Sequence, residues 1–519
     1  MIKWVRKADR TIARALIVVF LCAVLFECLC LGMLKGLSHD EHQFVAPAKL
    51  HVTEGLLPYV SCPQFHMPGL VFVYATLFRF TDYVLLPARL FSVACAFAAL
   101  VLIFFVTSAR FRAFGHIPRF LIAAGAVLLL LASPLFLHAS GRAWNHDFPV
   151  LLALVAFTCF CRAARSTKPA LLLFLSGLCV GAAIAARISF TLVAVPFLGM
   201  CLVVPKGVEL KRRLVAGLLP CACGMLVGAL PAIVLFALAP SRFVYSNVLY
   251  HRIEPIWRRE LNVGGPLTLL QRLAYARAVM GEPGNLLILL GFSVTAWLPR
   301  VLKDPDGLGK HIEVTFVWIL LPFLLIGSFA PSPMFRQYLY APMPFLVLGL
   351  VHGMAALRDR EQARRWPFQM LTLMVLLSCA YWPIQWRPSP RLFKAGEWYP
   401  VAAHRLGQDI RDKVGEGKVL TLAPLFPLEG GLEIYPEFAT GPFAWWRAHL
   451  IPEETRKKLG VVGREDLDEL LEEHPPAAIL VGYEPHWIVL EDAFIAYAEA
   501  NGYTPIALPD EKTLWVAPD

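Results

Sequence analysis

Residues 15–42 read ALIVVFLCAVLFECLCLGMLKGLSHDEH, an apolar run that gives way, within a few residues, to the acidic pair Asp40-Glu41. About twenty apolar residues at about 1.5 Å each cross the roughly 30 Å of a hydrocarbon layer as a helix. Carboxylates so close to a bilayer are costly to desolvate and usually mark a site. The run is too long, and its end too poor in small residues, for a cleaved signal peptide.

The pattern repeats along the chain. Apolar segments follow at 90–109, 120–137, 148–161, 170–186, 188–204, 214–239, 286–301, 314–330, 339–357 and 368–386, about eleven in all with the first. Of 519 residues 57% are hydrophobic and only 17% charged, outside the range of soluble domains. The expected class is a polytopic α-helical membrane protein.

Lysine and arginine set the orientation. Lys3, Arg6, Lys7, Arg10 and Arg14 precede the first span, and alternate connections carry Arg110/Arg112/Arg119, Arg162/Arg165/Lys168, Lys206/Lys211/Arg212/Arg213, Arg300/Lys303/Lys310 and Arg358/Arg360/Arg364/Arg365. With these in the cytoplasm, Asp40-Glu41, the loop 142–147, the loop 241–284 and everything after about residue 386 face outward. Arg187 breaks the rule, and an outward arginine there either contacts an anion or snorkels to the interface. The net charge of +10 is mostly this orientation signal, with no basic stripe of the kind that binds nucleic acid. Of 12 cysteines only Cys62 sits in an outer loop, which excludes a disulfide framework.

After residue 386 the composition changes. Helical spacing at 397–414, 465–473 and 490–501 alternates with strand-like runs at 418–423, 477–481, 504–508 and 513–516. The chain thus divides into a transmembrane catalytic part, 1–386, and a small extracytoplasmic α/β domain, 387–519.

Asp40 is suited to take a proton from an acceptor hydroxyl, with Glu41 beside it. A pair of this kind can also be merely solvated. The stretch SHDEHQFVAPAKLHVTEGLLPYVSCPQFHMPGLVFVYATLFRF (38–80), followed by Ala88-Arg89 ahead of the second span, resembles the first outer loop of membrane glycosyltransferases of the GT-C fold. Within that fold it is most similar to bacterial relatives of protein O-mannosyltransferase and of the lipid A aminoarabinose transferase, glycosyltransferase family 39-like. The shared elements are the acid pair, Glu54-Gly55, Pro58-Tyr59, Phe65-His66-Met67-Pro68 and the Ala-Arg.

The resemblance implies Asp40 as general base supported by Glu41, and a second acid, Asp147, in Ser140-Gly141-Arg142-Ala143-Trp144-Asn145-His146-Asp147, contacting donor or acceptor; Asp147 could also simply cap the span at 148. It further implies that Arg336 and Tyr338, in Phe335-Arg336-Gln337-Tyr338, meet a lipid phosphate, and that Glu54, Tyr59, His66, Arg89 and Arg142 line the substrate site. The function so implied is an inverting hexosyl or pentosyl transferase at the outer face of the inner (plasma) membrane. Its donor is a polyprenyl-phosphate sugar, its acceptor a lipid, glycan or protein, and it needs no cofactor. A divalent metal on His39-Asp40-Glu41-His42 is a minor alternative, because the histidine spacing of three does not suit a helical zinc pair. The rival functions are a transporter or flippase of a glycolipid, which would show paired inverted halves, and a surface-polysaccharide polymerase or ligase.

Overall fold

The computed structural model describes residues 2–203, 209–261, 268–297, 311–331, 333–358, 366–385, 389–484 and 490–518. The basic connections at 206, 300–310 and 360–365 and the junction at 386–388 lie outside them. The first half runs α1 (Ile2–Met33), α2 (His39–Glu54), α3 (Gly69–Phe78), α4 (Leu85–Arg110), α5 (His116–Leu131), α6 (Pro134–Ala139), α7 (Asp147–Ala163), α8 (Ala170–Ala186) and α9 (Thr191–Val203).

Among the described residues four helices are by themselves long and apolar enough to span: Asp9–Met33, Leu85–Arg110, Ile312–Phe329 and Arg336–Leu357. Two bent pairs raise the number to six, so length alone does not reach the expected eleven. The segment 214–239 breaks into Leu210–Gly228 and Leu230–Leu238 with a bend of 58°, where Pro231 near the start of the second piece has no N–H to continue the ladder. Other apolar segments form helices of 10–17 residues, among them α5 and α8. Apolar side chains on the helices point outward: Val19 in α1 is 68% exposed and Leu226 63%. A surface of that kind belongs against lipid, which makes the chain a multi-pass membrane protein.

Close backbone packing fixes the end of α8. Gly177 and Gly181 lie against the helix Leu219–Gly228, so that a Cβ on either would stand 1.9 Å from the Cys221 carbonyl oxygen or 2.0 Å from that of Met225. Gly224 and Gly228 meet α8 in the same way, at 2.1 Å. Two small-xxx-small stripes thus bring helix backbones into contact where a hydrophobic driving force is missing.

The C-terminal residues form a five-stranded sheet in the order β2-β1-β3-β5-β4, from β1 (Lys418–Thr421), β2 (Glu433–Ile434), β3 (Ala478–Val481), β4 (Thr504–Leu508) and β5 (Lys512–Val516). β1 pairs parallel with β2 and β3, and β5 antiparallel with β3 and β4. The two-residue β2 is too short for a sequence pattern to reveal. Side-chain alternation splits the sheet's two faces. Val419, Ala478 and Leu480 join the core that continues into the membrane helices, while Leu420, Ile479 and Val481 pack on the other side with Leu471 and Phe494.

Candidate active site

The stretch with Asp40, which looks like a loop in the sequence, is the first turn of α2. Its N-terminus is closed by Glu41, whose Oε2 accepts from the Ser38 N–H at 2.9 Å. Glu41 is fully buried and meets Arg89 fork to fork, Nε to Oε1 at 2.8 Å and Nη2 to Oε2 at 2.7 Å. Oε1 also accepts from the Ala143 N–H at 2.7 Å. Arg89 spends its other donors on the carbonyls of Gly32, Lys35 and Gly36. One ion pair therefore ties together the end of α1, the start of α2, the second turn of α4 and the loop before α7, and the Arg89 guanidinium holds Glu41 below the usual carboxylate range.

Asp40 stands beside this knot and makes no hydrogen bond or ion pair among the described residues. Burial raises its carboxyl above the ordinary value, while His39, Arg142 and Arg187 oppose the shift. The quartet His39-Asp40-Glu41-His42 does not converge on one point. His39 Nδ1 pairs with Glu484 at 3.1 Å, Glu41 with Arg89, and His42 is buried with Nδ1 unbonded. Among the described residues no three His, Cys, Asp or Glu side chains are arranged to hold a metal.

Asp147 lies under the loop rather than in the open. Its Oδ2 accepts from the Gly141 N–H at 2.9 Å, and Oδ1 is buried without a partner among the described residues. Gly141 has φ +88°, and a Cβ there would stand 2.7 Å from the Gly32 nitrogen, so only glycine fits this turn. Burial pushes the Asp147 carboxyl up to about 7 against the pull of Lys35. Lys35, itself lowered to about 7 by burial, donates to the carbonyls of Leu137 (2.5 Å) and Ser140 (2.9 Å).

The loop that Asp147 shapes presents Arg142 and His146. The Arg142 guanidinium carbon lies 5.3 Å over the Trp144 ring and is drawn by Glu41 and Asp40. Arg187, just past α8, donates from Nη1 to His146 Nδ1 at 2.8 Å and from Nε to Ser189 Oγ at 3.1 Å, and stacks 4.8 Å over Tyr338. Burial and Arg187 keep the His146 imidazole neutral. Beside them is a small pocket lined by His146, Arg187, Ser189, Phe190, Gln337 and Tyr338, among others.

The remaining expected residues are dispersed. Arg336 Nη2 is held by Glu282 at 2.5 Å, away from Tyr338, because residues two apart in the 3₁₀ turn Arg336–Tyr340 point in different directions. Tyr59 is buried with φ +65° and donates to the His66 carbonyl at 2.5 Å. His66 stacks on Phe44 at 5.3 Å. Glu54 is exposed at the far end of α2, near Glu433 and Lys418.

Arg447 is a residue that the sequence reading missed. It comes from the C-terminal part, is 1% exposed, pairs with Glu254 and lies 4.4 Å over Tyr250, with Nε and Nη1 unbonded. Glu254 also accepts from Arg258 at 2.8 Å. The clue was Trp445-Trp446-Arg447, two large aromatics and a cation together in an otherwise polar tail.

No family model matches the sequence, and no curated protein matches it. Solved structures do match in fold, among them two of one protein. ArnT from Cupriavidus metallidurans in the apo state aligns over 98% of this chain and 100% of its own, with TM-score 0.60 and 14% identity. The same protein bound to undecaprenyl phosphate aligns over 97% and 99%, with TM-score 0.57 and 14% identity. ArnT is a lipid A aminoarabinose transferase of the GT-C fold. This chain has the GT-C fold. In this GT-C chain Asp40 lies within electrostatic reach of Arg142, Arg187 and Tyr338, and of Arg447 from the C-terminal part.

Proposed function

We propose that the chain is an inverting glycosyltransferase that takes a hexosyl or pentosyl group from a polyprenyl-phosphate donor at the extracytoplasmic face of the cytoplasmic membrane. The acceptor is a hydroxyl of a lipid, glycan or protein. The observation that carries this reading is Asp40, a carboxylate with no bond among the described residues and within electrostatic reach of Arg142 and Arg187, while its neighbour Glu41 is wholly engaged in holding the turn.

In this reading Asp40 accepts the proton of the acceptor hydroxyl, and the acceptor oxygen attacks the anomeric carbon opposite the phosphate. The bond from that carbon to the phosphate oxygen breaks and its electron pair leaves on the phosphate, so a single displacement inverts the carbon. Arg187 with Tyr338, joined by Arg142, takes up the charge of the departing phosphate. Arg336 adds to them once it releases Glu282. The phosphate is itself the leaving group, so the reaction calls for no cofactor.

Two further points support a lipid-linked donor. The distribution of Lys and Arg turns this end of the bundle away from the nucleotide sugars of the cytoplasm. ArnT, which shares the fold, was crystallised with undecaprenyl phosphate. The test is to incubate purified protein with polyprenyl-phosphate sugars and a membrane extract, and to follow release of polyprenyl phosphate together with sugar transfer. Movement of intact donor across vesicles without release would favour a flippase instead.

A further inference from the structure

Glu429 is buried in the short helix Leu425–Glu429 of the C-terminal part, yet both of its carboxylate oxygens leave that part. Oε2 accepts from the Val84 N–H at 3.1 Å and Oε1 from the Leu85 N–H at 2.7 Å. These are the N-cap and first residues of α4, a helix of 26 residues. The first N–H groups of a helix have no partner within it, and a negative charge there also complements the helix dipole. His404 Nδ1, at 2.8 Å from Oε2, fixes the carboxylate from behind, and its ring stacks on Tyr83 at 3.9 Å. A buried carboxylate from the C-terminal domain thus caps a membrane helix.

What α4 carries one turn further on is Arg89, whose guanidinium carbon lies 5.4 Å from the ring centre of Tyr399, again from the C-terminal domain. Arg89 fixes Glu41, and Glu41 fixes the turn that holds Asp40. The same domain holds the other side of that turn through Glu484 and His39.

We infer that the C-terminal domain is part of the catalytic apparatus: Glu429 and Tyr399 are positioning residues that set the first turns of α4, and through Arg89 and Glu41 aim Asp40 at the acceptor. The inference rests on Asp40 being the base. Loss of the cap lets the first turn of α4 fray, and misplacement of a reacting group by about 1 Å is enough to cost on the order of a hundredfold in rate.

The experiment compares Glu429→Leu, Glu429→Gln and Tyr399→Leu with the parent in detergent, measuring kcat, donor KM and the pH profile of kcat per mole of folded protein. Glu429→Leu is expected to lower kcat about tenfold or more, leave donor KM within about twofold, and displace the acid limb of the profile, because the surroundings of Asp40 change. Gln keeps an acceptor oxygen and restores most of the rate. A structural role alone would lower the yield of folded protein and leave these three readings untouched. Should Glu429→Leu not fold, Tyr399→Leu decides: a fall in kcat with a displaced profile supports positioning, and an unchanged kcat and profile overturns it. Asp40→Asn is run beside them. Full turnover in that variant refutes the base, whereas an inactive Asp40→Asn with a fully active, unshifted Glu429→Leu refutes the positioning inference alone.

Discussion

Arg89 and Glu41 meet fork to fork with neither side chain exposed to solvent. Two charges taken out of water cost several kcal/mol each, which their attraction recovers only in good geometry with the remaining donors satisfied. Here the guanidinium is bonded to three carbonyls and the carboxylate to two N–H groups besides. With Glu41 so fixed, its neighbour Asp40 is unbonded among the described residues.

Breaking that pair from one side strands a buried charge. Arg89→Met is expected to destabilise the protein by about 3–5 kcal/mol. The double variant Arg89→Met, Glu41→Gln should be less damaged than Arg89→Met alone. Thermal unfolding in detergent of the two variants and the parent checks the order.

Asp147 gives the stability a pH dependence. Its carboxyl is raised to about 7 in the fold, so the protonated native form is favoured. The stability this contributes is complete below the unfolded value near 4 and is lost as pH rises through about 7. Asp147→Asn keeps an oxygen for the Gly141 N–H and cannot ionise. Melting temperature should therefore fall between about pH 4 and 7 in the parent more steeply than in the variant.

The glycine seam between α8 and Leu219–Gly228 admits no side chain. Gly181→Ala would drive a methyl into the Met225 carbonyl, and a cost of about 1–3 kcal/mol is expected. Because α8 ends next to Arg187, donor KM should rise as well, measured on the fraction that remains folded.

Donor phosphate binding separates two arginines. Arg187→Ala should raise donor KM about tenfold or more, with Lys recovering part, since a point charge replaces some of a phosphate contact but not a planar fork. Arg336→Ala, which removes a group already held by Glu282, should act much less. Titration of each variant with a polyprenyl-phosphate sugar gives the comparison.

The sequence exposes the acid pair because carboxylates after an apolar run stand out, and it exposes Arg187 because an outward arginine breaks the charge rule. The residues alone do not divide the labour between Asp40 and Glu41, which the resemblance assigns, since the division depends on Arg89, which reaches Glu41 only once α4 has packed on α1. Arg336 and Tyr338 look like one element in the sequence, and a 3₁₀ turn sends them to different partners. Glu429 was not legible, and Arg447 only as a cation beside two tryptophans, because their contacts with Val84, Leu85 and Glu254 join segments far apart in the sequence. Hydropathy also does not register the bend at Leu230, so the segment 214–239 reads as one straight span where the structure has two pieces at 58°.

The most direct measurement is turnover by purified Asp40→Asn with a polyprenyl-phosphate sugar donor and its acceptor. Asn keeps the volume and removes the base, and general base catalysis is worth roughly 10²–10⁴-fold. The expected result is a loss of kcat of that size with donor affinity and melting temperature close to the parent. Turnover near the parent's in the folded variant would contradict Asp40 as the base.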